Sequence, residues 1–167
     1  GPGAETVFQS APTHTSNDSR EALCIWLPTF ELRLELVRFP ELDKTSVALL
    51  SPGESTRRTI WQASERARKA GVRPGQLVSQ AVSLCTSLTL LEPDPSHYDA
   101  AATTMIEALS ELTPIIEPAG RGRVFLGMGG LERLLGPPNR QIDRALNLLF
   151  QVYPAPLVAA TRAGSSS

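Results

Sequence analysis

Apolar residues in this chain fall into two kinds of run, and the spacing of each predicts an element. Residues 22–27, Ala-Leu-Cys-Ile-Trp-Leu, and 47–50, Val-Ala-Leu-Leu, are short and continuous. That pattern is expected of strands covered on both faces. Residues 59–63, 88–91 and 156–160 read as further strands, with 59–63 close enough behind 47–50 to return as a hairpin across Ser51, Pro52 and Gly53. Residues 115–119 and 123–128 read as a second hairpin, turning through Gly120, Arg121 and Gly122.

Elsewhere the period lengthens. Tyr98, Ala102, Met105, Leu109 and Leu112 are separated by steps of four and three, which predicts an amphipathic helix over 96–112. A helix over 139–151 turns Ile142, Leu146 and Leu149 inward. Over 30–39, Leu32, Leu36 and Phe39 share a face, while Glu31, Arg33, Glu35 and Arg38 lie mostly elsewhere; Thr29 is placed to cap this helix and Pro40 to stop it. Shorter helices are expected over 65–70, ended by Gly71, and over 77–85.

Setting residues 30–87 aside leaves the order β (22–27), α (96–112), β (115–119), β (123–128), α (139–151), β (156–160). This is the β-α-β-β-α-β, or ferredoxin-like, plan. The expected class is thus mixed α/β (α+β): a ferredoxin-like domain from 21–29 and 88–164, interrupted by a small α/β insertion over 30–87. Residues 1–20 are rich in Gly, Pro, Ser and Thr without an apolar period, and read as a disordered tail that begins with a vector-derived Gly1-Pro2-Gly3.

Composition narrows the function classes. The 167 residues are 41% hydrophobic, with a formal net charge of −1, which disfavours tight autonomous binding to nucleic acid. No apolar run approaches the 18 or so residues of a membrane span. Without a secretory signal core, a cytoplasmic location is the default expectation. Cys24 and Cys85 lie far apart, and Cys24 reads as a small core residue rather than half of a disulfide. His14 and His97 are isolated, so no Cys/His set has metal-ligand spacing.

Several segments together carry a resemblance. Phe39-Pro40-Glu41-Leu42 leads into Val47-Ala48-Leu49-Leu50, and 63–75 reads ASERARKAGVRPG. Ala81 to Thr86 follows as a helix end, and Thr113-Pro114-Ile115-Ile116-Glu117-Pro118 precedes the second hairpin. In order and spacing this resembles the Y-family (UmuC/DinB-type) translesion DNA polymerases over nearly all of 22–164. The resemblance implies a ferredoxin-like palm with a fingers insertion after the first strand. It also implies two Mg²⁺ ions held by acidic residues at the end of that strand and on the hairpin.

At the matching positions this chain has Trp26 and Pro28 on the first strand, and Gly122, Arg123 and Gly127 on the hairpin. Glu21, Glu31 and Glu117 make no convergent replacement. The expectation is therefore no catalytic residue, no metal, no cofactor and a chain that is not an enzyme. Gly130-Leu131-Glu132-Arg133-Leu134-Leu135-Gly136 and Val158-Ala159-Ala160-Thr161-Arg162-Ala163 resemble the ImuB-type subgroup, whose members lack the catalytic acids. That likeness implies an adaptor in damage-induced mutagenesis, with an ImuA-type RecA-like protein, the sliding clamp and an error-prone replicative-type DNA polymerase as partners.

Basic residues remain as candidates for phosphate. Arg68 and Lys69 match positions near the incoming triphosphate, but Glu65 stands where the family has tyrosine. With Arg73, they are read equally as a solvated face. Arg57 and Arg58, beside an inserted strand, are read either as weak DNA-backbone contacts or as surface charge. Trp26 is expected to plug the former metal pocket and Trp61 to join a core. Leu148-Leu149-Phe150 is read as helix core in preference to a clamp-binding peptide. The thumb and little finger of active relatives are missing, which is the expectation for a fragment.

Overall fold

A computed structural model describes residues 21–53, 56–111, 113–127, 147 and 157–162. The expected tail over 1–20, most of the helix over 139–151, Leu148-Leu149-Phe150, and the 130–136 motif lie outside them. The chain divides into two compact units. One is drawn from residues up to Pro28 and from Asp99 onward; the other is Thr29–Tyr98.

The first unit is built on a four-stranded sheet in the order β5-β6-β1-β7. Its strands are β1 (Glu21–Trp26), β5 (Ile116–Pro118), β6 (Arg123–Gly127) and β7 (Leu157–Arg162). Every neighbouring pair is antiparallel, and β1 lies between β6 and β7. This is the arrangement that the ferredoxin-like plan requires. Side chains alternate across it: Leu23, Ile25, Val124 and Leu126 are buried, and their neighbours along each strand are more exposed. Helix α4 (Pro95–Leu109) contributes buried Met105 and Leu109, as its four-and-three spacing predicts. Buried Thr113 fastens the hairpin, with its hydroxyl donating to the Gly127 carbonyl at 2.9 Å and accepting from the Ile115 N–H at 3.1 Å.

The second unit holds a three-stranded sheet in the order β3-β2-β4, from β2 (Val47–Leu50), β3 (Ile60–Ala63) and β4 (Thr89–Leu91). β2 is antiparallel to β3, with a register shift between Leu49 and Leu50, and parallel to β4. β4 therefore belongs to this inserted unit, not to the outer domain, because its ladder partner is β2; the boundary falls after Tyr98 instead of at 87. Its core is Ala48, Leu50, Ile60, Ala63, Ala67, Val72, Ala81 and Cys85, enclosed by the sheet and helices α2 (Glu65–Lys69) and α3 (Val78–Leu84). Ser64 caps α2 by accepting the Ala67 N–H at 3.3 Å. The same hydroxyl oxygen accepts the Val47 N–H at 3.0 Å and donates to the Thr45 carbonyl at 2.9 Å. Gly71 then takes φ +104° to end the helix, a left-handed conformation that favours glycine.

Helix α1 (Phe30–Arg38) departs from expectation in three ways. Thr29 adopts φ 49°, ψ 46° and makes no side-chain cap, because a left-handed backbone does not direct its hydroxyl at the first turn. Phe39 is exposed, while Glu31 and Glu35 are buried. Both acids are held by distant partners. Gln62 donates to Glu31 at 2.8 Å and accepts the Leu32 N–H at 2.9 Å. The Tyr98 hydroxyl donates to Glu35. Arg38 lies 3.6 Å from Glu35 and pairs with Asp94 at 2.7 Å. Burial, with the hydrogen bond to Glu35, pushes the Tyr98 phenol above its ordinary range. The bond from Arg38 holds the Asp94 carboxyl below its own.

Candidate functional site

The positions singled out by sequence meet where β1 and β6 end together. Trp26 is the direct cross-strand partner of Arg123, and the pairing runs one step further, the Leu27 N–H donating to the Gly122 carbonyl at 2.7 Å. The turn closes with the Ala119 N–H on the Arg123 carbonyl at 2.8 Å, and Gly120 supplies the φ of +95° that it needs. Trp26, Gly122 and Arg123 are thus brought together.

Each of these positions has a definite occupation. The Arg123 guanidinium lies over the Trp26 ring, 5.5 Å from its centroid, within cation–π range. Arg121 turns away and donates from Nε to Asp99 of α4 at 2.8 Å. At Gly127 a built Cβ would come within 2.6 Å of Ile115 Cγ2 and 2.8 Å of its Cβ, so the place of a side chain is already taken. Trp26 does not plug a pocket: it is 43% exposed, since the strand alternation that buries Ile25 turns it to the opposite face. Cys24 shares that face and is only half-buried, not core; it and Cys85 are free thiols. Burial pushes the Cys24 thiol up, against a smaller opposing pull from Arg123.

This donor set does not fit Mg²⁺. The ion takes hard oxygen ligands, usually carboxylates, and Trp26, Gly122 and Arg123 offer none from their side chains while adding a positive charge. Of the acids near the turn, Asp99 is engaged by Arg121. Among the described residues no group of three or more His, Cys, Asp or Glu could hold a metal ion. Behind the turn, on the buried side of the sheet, lies a cavity of about 610 Å³ whose lining includes Ile25, Leu27, Met105, Ile106 and Val124. Its mainly apolar walls suit packing better than ion binding.

The basic candidates lie in the second unit and differ in what occupies them. Arg73 donates to the carbonyls of Arg68 at 2.6 Å and Val72 at 2.9 Å, covering the C-terminal end of α2. Arg58 pairs with Glu92 at 3.0 Å, and its buried Nε meets no partner. Arg57 is exposed, and with Arg58, Thr56 and Ser79 it lines a hollow of about 440 Å³. Arg68 and Lys69 are exposed; Lys69 stands 4.0 Å from Glu65. Trp61 is half-buried, its ring 6.2 Å from that of Tyr98. Sequence reasoning missed the Glu35–Tyr98–Arg38–Asp94 chain, whose members are polar and scattered. A charged residue between two apolar ones on α1 was the only signal.

Comparison with known proteins is consistent across sequence and structure. The model of the impB/mucB/samB family matches residues 25–160. DNA polymerase IV of Alkaliphilus oremlandii is 28% identical over 109 residues, 65% of this chain and 27% of that protein. DNA polymerase IV 2 of Mycobacterium tuberculosis is 32% identical over 111 residues, 65% of this chain and 32% of its own length. The chain thus spans about a third or less of these relatives. Among solved structures, DinB from Sulfolobus solfataricus superposes with a TM-score of 0.72 at 17% identity, covering 84% of this chain and 42% of that one. A post-insertion binary complex of Dbh DNA polymerase gives 0.73 with the same identity and coverage. At that identity the structural likeness shows the fold. Among the described residues no helix is long and apolar enough to cross a membrane.

These relatives correct one expectation. A chain that is not an enzyme was expected from the missing acids, but the sequence relatives are named as DNA polymerases IV and the structural neighbours as Y-family polymerases, which are enzymes. The family model covers most of the chain, and the two sheets share the fold of the palm and fingers of those polymerases, so this chain belongs to the impB/mucB/samB family.

Proposed function

We propose that this chain is the palm-and-fingers part of an ImuB-type member of the family, and that it serves as an adaptor in bacterial DNA damage tolerance. In this role it brings an error-prone polymerase assembly to a blocked template in the cytoplasm. The partners are an ImuA-type RecA-like protein, the sliding clamp and an error-prone replicative-type DNA polymerase. One observation carries the proposal: a polymerase-type palm whose β1–β6 corner is filled by a stacked Trp26–Arg123 pair. That corner is built for contacts other than cation binding. The 130–136 motif, GLERLLG, adds support from sequence. Assembly stands beside the polymerase activity for which the relatives are named and does not replace it. Of the phosphate candidates, Arg68 and Lys69 are the ones we assign to weak contact with the DNA backbone, since Arg58 and Arg73 are engaged within the fold.

The test is retention of each purified partner by the tagged full-length protein at micromolar concentration and physiological salt. The RecA-like protein and the replicative-type polymerase are expected to be retained. Retention of none of the three would overturn the proposal. A second reading, a working polymerase whose metal ligands come from other positions, is favoured by the relatives' names. Its mark would be Mg²⁺-dependent primer extension by the full-length protein that survives substitution of Trp26 and Arg123.

A further inference from the structure

One face of the four-stranded sheet is covered and the other is open. Leu23, Ile25, Val124 and Leu126 are buried on the first. On the second, register sets the residues out in rows across β5, β6 and β1: Arg123 beside Trp26, then Glu117 beside Phe125 and Cys24, then Ile115 beside Gly127. β7 continues the first two rows with Leu157 and Ala159. Ile115 belongs to this face because its side chain fills the place that a Gly127 Cβ would take. It is 58% exposed and Trp26 43%, with Phe125 half-buried between their rows. A sheet face left this apolar and this open suits contact with another protein surface.

Two charges stand among these side chains, and they point to the occupant. Arg123 and Glu117 are opposite in sign and lie one strand and one pleat repeat apart. A face with one of each complements itself: a two-fold axis in the interface plane that sets Arg123 against Glu117 of a second copy makes the same contact twice. Strands about 4.8 Å apart, with same-face residues about 6.8 Å apart, determine what else that axis brings together. Projected on a flat sheet, Trp26 falls within about 4 Å of Ile115 of the other copy, and Phe125 within about 4 Å of its own counterpart. The strands of the two sheets then cross at about 70°, closer to the orthogonal than to the aligned class of sheet packing. One operation thus pairs both charges, lays the exposed indole on the exposed isoleucine and brings two phenyl rings together. Stacking on the indole uses the flat face of the Arg123 guanidinium and leaves its N–H edge for a carboxylate.

We propose that two copies of this chain associate face to face through this sheet about a two-fold axis, with Arg123 of each on Glu117 of the other. The pairing follows from register and charge, independently of the adaptor role. By the same spacings the face covers about 400 Å² on each copy, about 800 Å² in all, short of the ~1,200 Å² at which stable complexes begin. The dimer is therefore weak, with a Kd of about 10–100 μM at physiological salt. Trp26 and Arg123 are covered in it and open in the monomer, so local concentration controls access to this face.

The experiment is sedimentation equilibrium of the 167-residue chain from 5 to 500 μM in 150 mM salt, with far-UV circular dichroism to show that each variant is folded. The weight-average mass is expected to rise from 18.0 kDa towards twice that value. Arg123→Glu and Glu117→Arg, each alone, set like charges together at both contacts and should weaken association about tenfold or more. An equimolar mixture of the two variants restores both opposite-charge contacts and should associate as well as the wild type. Trp26→Ala should also weaken association about tenfold. Alkylation of Cys24 is a measurement independent of any variant: Cys24 lies on this face while Cys85 is buried, so its reaction with iodoacetamide should slow as wild-type concentration rises. A mass constant at 18.0 kDa, association indifferent to either charge reversal, or a mixture no better than its components would overturn the proposal. So would a Cys24 rate equally slow at every concentration, which would mean that the chain covers its own face. Retention of the three partners by the same variants tests the adaptor role separately, and either hypothesis can fail without the other.

Discussion

Tyr98→Phe is the sharpest test of the packing described here. Tyr98 is fully buried, and its hydroxyl donates to the carboxylate of Glu35, which is itself only 2% exposed. The substitution keeps the ring and its neighbour Trp61 and removes one oxygen. Glu35 is left with Arg38, at 3.6 Å, as its remaining charged partner, and that guanidinium is already committed to Asp94 at 2.7 Å. A hydrogen bond to a charged group contributes about 1.5–3 kcal/mol, and the acceptor stays buried after the donor has gone. The expected loss is about 2–3 kcal/mol. Urea unfolding at pH 7, followed by both far-UV circular dichroism and fluorescence, should show the midpoint falling by about 1 M with an unchanged slope. The pH dependence supplies an independent sign. The phenol is held above its ordinary value of 10.0 in the folded chain, first by burial and then by Glu35. Its stabilisation is therefore fully present below pH 10.0, the unfolded value, and is lost as pH rises through the higher folded value. The gap between wild type and variant should begin to narrow as pH rises above 10.0. A midpoint shift under about 0.2 M, or a gap constant from neutral to strongly alkaline pH, would refute the reasoning.

Four further outcomes are expected. Ser64→Ala removes a hydroxyl that caps α2 and ties it to the start of β2, and should cost about 1–2 kcal/mol by the same urea assay. Gly127→Ala should cost about 1–3 kcal/mol because its Cβ would overlap Ile115, and most of that cost should vanish when Ile115→Gly is added, a coupling read from a double-mutant cycle. Arg121→Ala should change stability by less than about 1 kcal/mol, since its partner Asp99 is 68% exposed. Trp26→Asp with Arg123→Glu sets two carboxylates directly opposite each other across β1 and β6. The double variant should melt below either single variant in EDTA and regain part of that loss in Mg²⁺, as followed by thermal denaturation.

Local periodicity made most of the fold legible. The steps of four and three over 96–112 correctly identify Tyr98, Met105 and Leu109 as buried, and the alternation on β1 and β6 follows from strand geometry. What stayed hidden depends on partners remote in sequence. Glu31 and Glu35 sit at polar positions of a helical pattern, but Gln62 and Tyr98, 31 and 63 residues away, make their burial tolerable. The short strand β4 carries no mark of which sheet it will join until β2 is seen beside it. Thr29 has the right chemistry for a cap, and its left-handed backbone overrules it. The corner positions were found by matching segments along the chain. Their environment was not, because an apolar run such as 22–27 gives no sign that its one tryptophan turns to an open face.

The residues of the hairpin tip form one arrangement. Gly120 makes the turn possible, Arg121 ties it to α4 through Asp99, and Arg123 occupies the face of the indole that stands opposite it. Gly127 leaves room for Ile115, whose carbonyl accepts the Gly127 N–H at 2.8 Å and whose side chain covers the end of β6. A carboxylate at position 127 would require Ile115 to move. One at position 123 would give up the cation–π contact and place a like charge beside any acid installed at 26. Each residue makes sense of its neighbour, so the chemistry of this corner is to be read from the Trp26–Arg123 pair and the packed turn together: an exposed ring, a positive charge held over it and a backbone closed behind them.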